Sequence, residues 1–149
     1  MKTRIALFML ASSVSASVLA SDNKCEPVDQ QHIAGLFDRW NDALKSGDPQ
    51  KVAQNYLTDA VLLPTVSNTV RLTDAERKEY FEHFLQKKPV GKIDSRTIRI
   101  GCNKAIDAGT YTFTFKDNTA VSARYTFTYA WNGQQWLIST HHSSAMPES

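Results

Sequence analysis

The residues of this chain best equipped for chemistry sit near its C-terminal end, where His141, His142, Ser143 and Ser144 stand in a row behind an alternating aromatic and β-branched run. Imidazole accepts and donates protons near neutral pH, so such a cluster is either a ligand-facing rim or a polar exit from the core. Consecutive strand residues point to opposite faces, so only one of the two histidines can enter a given pocket. That argues against a zinc site built on the pair, whose ligands converge within about 2 Å of one ion, and no metal or cofactor is assigned. It argues equally against a Ser-His-Asp hydrolase, for which a G-x-S-x-G elbow is also missing. Arg96 is the second residue of interest, because it shares a strand face with Ile98 and Ile100. A guanidinium there must hold an anion such as a carboxylate, pair with a structural acid such as Asp38, or be turned outward by a bulge.

The elements that position these residues change period midway. Residues 26–45 carry Val28, Ile33, Leu36, Phe37, Trp40, Ala43 and Leu44 on one helical face, with Pro27 suited to a first turn and Gly47 to a stop. Asp48 then caps a second helix with Pro49 at its first position and Val52, Ala53, Tyr56 and Leu57 inside. A short strand over 59–63 breaks at Pro64. Residues 66–72 read as an exposed connection. Thr73 opens a third helix, with Glu76 completing a capping box and Ala75, Tyr80, Phe81, Phe84 and Leu85 facing inward.

Strands follow over 92–102 and 105–115, turning at Lys116-Asp117-Asn118, and the last two strands flank Asn132-Gly133, which predicts a two-residue type I′ hairpin. The order predicts an α+β domain, with helices on one side of a curved antiparallel sheet.

Residues 1–20 are set apart. Lys2 and Arg4 precede an apolar run and a small-residue cleavage site at Val18-Leu19-Ala20, the pattern of a cleaved secretory signal. The run is shorter than the ~20 apolar residues a membrane span needs, so a periplasmic or secreted chain with no membrane anchor is expected, its single domain covering 21–149. The chain has 17 basic and 15 acidic residues, and losing Lys2 and Arg4 leaves 15 of each. A neutral domain offers no basic stripe for nucleic acid. Cys25 and Cys102 are the two cysteines, either bridged, as an oxidising compartment favours, or free.

The stretch SGDPQKVAQNYLTDAVLLP, followed by four long strands ending in W-x-I-x-x-HHSSAMP, resembles the nuclear transport factor 2-like superfamily, and within it bacterial SnoaL-like proteins related to the association (hub) domain of calcium/calmodulin-dependent protein kinase II. The resemblance implies a cone-shaped sheet wrapped around a long helix, a pocket at the open end, and homodimers or larger rings formed through the outer sheet face. It does not imply phosphoryl transfer, since the Gly-rich loop and H-R-D loop are missing. It makes His142 the inward histidine, a hydrogen-bond donor or general base, and turns His141 toward the oligomer side. Arg124 lies near, though not at, a position where the family has a pocket arginine, and Trp40, Tyr56, Tyr80 and Tyr111 complete the candidate ligand-binding set with Arg96. Three functions remain open: an exported, oligomeric, non-enzymatic binding or scaffolding domain for a small carboxylate; an isomerase, dehydratase or cyclase using His142 with an acid such as Asp38 or Asp42; and an assembly module joined through an outward aromatic face of the last strands.

Overall fold

The computed structural model describes residues 24–147, so the expected signal segment lies outside the described residues. The chain runs α1 (Gln30–Lys45), α2 (Pro49–Ala53), β1 (Tyr56–Leu63), α3 (Asp74–Leu85), β2 (Val90–Gly101), β3 (Lys104–Thr114), β4 (Ala120–Trp131) and β5 (Trp136–Ala145). The strands form one sheet in the order β1-β5-β4-β3-β2, antiparallel except for the parallel β1–β5 pair. It is a curved, unclosed α+β sheet, as the sequence predicts, and its inner face packs on α1 through Phe37, Trp40, Phe113 and Phe127.

Local chemistry explains where the elements begin. Asp29, not a residue near Pro27, caps α1 by accepting from the His32 amide at 2.7 Å. Residues 24–26 are drawn away to the β2–β3 turn, where Cys25 and Cys102 are joined with Cα atoms 4.8 Å apart. Asn103 holds the same segment by accepting from the Glu26 amide and donating to the Lys24 carbonyl.

Asn55 ends α2 by donating to the carbonyls of Lys51 and Val52, while its own carbonyl accepts from Ile138 in β5. Tyr56 and Leu57 therefore start a strand and do not continue the helix. Thr73 and Glu76 form the expected capping box on α3. Ala75 is exposed, however, and Arg77 is buried with Phe81 and Leu85, because these three repeat every fourth residue along the inner stripe.

The pairing slips at three places among the described residues: between Tyr56 and Val61 on β1, at Asp94 on β2, and at Ser139 on β5. Such bulges bend a strand and re-aim its side chains. The β4–β5 connection also departs from expectation. Trp131 pairs with Trp136, leaving four residues in the loop, and only Gly133 has positive φ, at 96°. Asn132 adopts no left-handed conformation; its side chain instead accepts from the amides of Gln134 and Gln135, an Asx-type turn in place of the type I′ turn.

Asn41 of α1 imitates a neighbouring strand, donating to the Gly91 carbonyl and accepting from the Gly91 amide, both at 2.8 Å. Gly109 is required by the Asp94 bulge, since a Cβ there would lie 1.9 Å from the Ser95 carbonyl oxygen. Replacing Gly109 with Ala is expected to lower stability by about 1–3 kcal/mol, the range of overpacked sites, in urea unfolding monitored by circular dichroism. Removing the disulfide as Cys25→Ser/Cys102→Ser opens a loop with a sequence separation of 77. The chain-entropy relation puts that loss at up to about 4.5 kcal/mol in the same experiment.

Candidate functional site

The inner face of the sheet, α1, α3 and the segment after β1 enclose a cavity of about 590 Å³, measured with its open mouth. Its walls are largely apolar: Trp40 from α1, Tyr80, Phe81 and Phe84 from α3, Phe113 from β3, Phe115 just after it, and Val121 and Ala123 from β4. Hydrogen-bonded polar groups converge on one side, where Thr65, Tyr111, His141 and Ser143 meet, while Lys87 stands apart from them.

His141, not His142, faces this cavity. In β5 the inward residues Trp136 and Ile138 lie opposite Trp131 and Tyr129, but beyond Ser139 the pairing is Thr140 with Thr128 and His141 with Phe127. The extra residue flips the parity, so His141 and Ser143 turn inward and are buried, while His142 is exposed. Serine suits the bulge, because Ser139 Oγ donates to the Thr128 carbonyl at 3.2 Å. The expected inward role of His142 is thus corrected. Tyr125, Phe127 and Tyr129 likewise point into the core, so the expected outward aromatic face is a face of threonines, serines and charged side chains instead.

Hydrogen bonding orders the cluster. Trp40 Nε1 donates to the Tyr56 hydroxyl at 3.1 Å, and because the Tyr111 hydroxyl gives its proton to Ser143 and is left to accept from His141 Nε2, His141 Nδ1 accepts from Tyr56 at 2.9 Å. His141 then carries its proton on Nε2, which faces the Tyr111 hydroxyl at 3.3 Å. Tyr111 donates to Ser143 Oγ at 2.6 Å, and Ser143 meets Thr65 Oγ1. The His141 ring stacks on Phe127 with centroids 4.0 Å apart and lies edge-on to Trp40. Burial in this apolar setting, with a small contribution from His142, lowers the His141 pKa to about 3. Burial also pushes the Tyr80 hydroxyl up to about 12 and raises Tyr111 and Tyr56 further. The lining groups other than Lys87 are therefore uncharged at neutral pH.

Arg96 lies outside the cavity lining. Its guanidinium is 3.1 Å from Asp107 and over the Phe37 ring, on the neighbouring strand pair from the one that carries His141. The acid that engages it is Asp107, the cross-strand neighbour of Ile98, not Asp38. Asp107 is fully buried and also accepts from the Tyr125 hydroxyl at 2.9 Å. Burial pushes its carboxyl up, and the Arg96 guanidinium opposes that rise. Arg124 is exposed on the outer face, opposite Ser144. Of the expected set, Trp40, Tyr80 and Tyr111 line the cavity, Tyr56 stands behind His141, and Arg96, Arg124 and His142 are elsewhere.

Arg77 carried no expectation. It is buried over the Tyr56 ring and donates to the carbonyls of Leu57, Thr58, Ala60 and Leu72, gathering the irregular start of β1. Thr65 was also missed, as an ordinary residue in a connection.

The model of the calcium/calmodulin dependent protein kinase II association domain matches residues 29–147. The chain belongs to this family. A protein from Xanthomonas campestris described under the same family name has a solved structure 51% identical to the chain, covering 83% of it and 91% of its own length, with a TM-score of 0.78. A nuclear transport factor 2-like protein of unknown function from Pseudomonas putida shares 18% identity over 80% of this chain and 87% of its own, with a TM-score of 0.71. An iota-carbonic anhydrase from a cyanobacterium, solved with bicarbonate, shares 19% identity over 82% of this chain and 94% of its own, with a TM-score of 0.73. These last two show a common fold. No curated protein matches.

The neutral His141 gives this association domain a pH-dependent stability. The folded state binds its histidine proton only near pH 3, whereas the unfolded chain binds it below about 6.5, so stability falls as pH drops through that window. Asp107, with its pKa raised by burial, works in the opposite sense near the ordinary carboxylate range. Urea unfolding is expected to lose about 1 kcal/mol per pH unit between pH 6.5 and 5 to the histidine alone, the slope approaching about 1.4 kcal/mol per unit at the lower end. His141→Phe should flatten that slope, and His142→Gln should leave it in place.

Proposed function

We propose that this chain is an exported, homo-oligomeric domain that binds a small molecule in the cavity, placing an apolar body against Trp40, Tyr80 and Phe81 and a hydrogen-bonding group against Tyr111, His141 and Ser143. The observation that carries this reading is an apolar chamber whose polar side is a continuous chain of uncharged donors and acceptors. Pockets of that composition hold ligands by burial and orient them with a few polar contacts. The carboxylate grip expected at Arg96 has no support here, because Asp107 engages that guanidinium. Family membership supports self-association. Its surface is proposed to be the outer sheet face around Arg124, Thr126, Thr128 and His142. The disulfide supports export to an oxidising compartment.

Thermal shift and calorimetry with a panel of small apolar alcohols, ketones and carboxylates test the binding. At least one class is expected to stabilise the wild type, and Tyr111→Phe should weaken it by about fivefold, the worth of one hydrogen bond. Failure of every class would overturn the reading. Light scattering on the mature protein at micromolar concentration should give a dimer or larger assembly; a monomer would overturn the oligomeric part.

A second reading is an enzyme of hydration or acid–base type. The structural likeness to a carbonic anhydrase holding bicarbonate, together with hydroxyls and an imidazole in an apolar cavity, favours it over other chemistries. His142 cannot serve from the outer face, so the role would fall to His141 and Tyr111. A histidine with a pKa of about 3 is a weak base, which weighs toward binding. Stopped-flow assay of CO2 hydration decides the matter: turnover lost in Tyr111→Phe and Ser143→Ala would replace the binding reading with the enzymatic one.

A further inference from the structure

We infer that the cavity selects an amphipathic monoanion, its apolar body inside and its charged head outside on a lysine shelf. This rests on the cavity being the ligand site and adds the charge and orientation of the occupant.

The inner chamber continues outward into a second depression of about 500 Å³, and the two share Lys87, Phe115 and Val121. The depression adds Lys116, Asp117 and Thr119. Lys87 follows the end of α3 and Lys116 follows β3, and a backbone hydrogen bond from the Lys116 amide to the Lys87 carbonyl, 2.9 Å, holds the two side by side. The Lys87 ammonium lies 5.7 Å from the centroid of Phe115, which fixes it over the mouth. Among the described residues neither lysine makes an ion pair. The shelf's acid, Asp117, is turned to its own loop, accepting from the Thr119 amide and hydroxyl.

Charge is thus arranged in one direction. Inside, the walls are apolar and the polar side is neutral, so a buried carboxylate would lack a cation and lose its hydration. At the mouth two unpaired ammonium groups border the exposed apolar side chain of Val121. A neutral ligand leaves the lysines unused, and a cationic one is repelled by them. A carboxylate or sulfonate on an apolar stem meets the lysines and the apolar walls at once, and a hydroxyl or carbonyl carried on that stem would meet Tyr111, His141 and Ser143.

The test compares octanoate, 1-octanol and octylammonium on the mature protein by isothermal calorimetry, in low salt and at 0.5 M NaCl. Octanoate is expected to bind about fivefold tighter than octanol and octylammonium more weakly than octanol, the size expected of two exposed charges, and the differences should shrink in high salt. Lys87→Gln/Lys116→Gln should remove the octanoate advantage while leaving octanol unchanged, and Ala123→Leu, which fills the chamber, should weaken all three. Equal affinity for the three heads would overturn the inference and leave the cavity as a binding site. An octanoate preference that survives in the double glutamine variant would also overturn it, placing anion recognition inside. Binding of none of the three would remove both the inference and the cavity reading beneath it.

Discussion

The polar wall of the cavity depends on the single extra residue at Ser139. Without it, the alternation set by Trp136 and Ile138 would carry His142 and Ser144 inward and leave His141 and Ser143 on the outer face. With it, an imidazole is placed against Phe127 and Trp40 and within reach of two tyrosine hydroxyls. Bulges leave a backbone group without its ladder partner, and Ser139 answers that with its own hydroxyl. The local cost of the bulge is offset by the cluster it creates, in which each polar group of His141 has a partner.

Two buried polar systems share this face and do different work. Around Arg96, a buried carboxylate, a guanidinium and the Tyr125 hydroxyl tie β2, β3 and β4 together. Around His141, uncharged groups from α1, β1, β3 and β5 meet at the cavity wall. Phe37, Trp40 and Phe127 pack edge-on and tilted against one another between the two systems and separate charge from chamber. Arg77 supports the second from behind, because the carbonyls it gathers belong to the strand that begins with Tyr56. The inner wall thus stays neutral because Arg96 is paired with Asp107 and Arg77 is held by backbone carbonyls, which leaves Lys87 at the mouth as the charged lining group.

The sequence makes the helix caps at Asp48 and Thr73, the switch from helical to strand period, the family and the membership of Trp40, Tyr80 and Tyr111 on inward faces legible, since each depends on residues within one turn or on simple alternation. Asp107 is different. It looks like an exposed charge in a strand until the register sets it beside Arg96, across the strand pair from Ile98. Arg77 is hidden for the same reason, as three of its four carbonyl acceptors lie in the first half of β1 and the fourth, Leu72, in the segment before α3. The exchange of His141 for His142 is the most instructive case. The resemblance to the family puts His142 inward, and alternation counted from Trp136 and Ile138 gives the same answer, which one bulge between reference and target inverts. Pairing partners, not residue types, carry that information.

The account's central claim is that His141 is buried, neutral and protonated at Nε2 through the hydrogen bond it accepts from Tyr56. Long-range nitrogen–proton correlation spectra of the imidazole rings read this directly. The account predicts a neutral Nε2–H signature for His141 that persists to about pH 4 and moves toward the Nδ1–H form when Tyr56 is replaced by Phe. A His141 ring that titrates near pH 6.5, or that carries its proton on Nδ1 in the wild type, would contradict it.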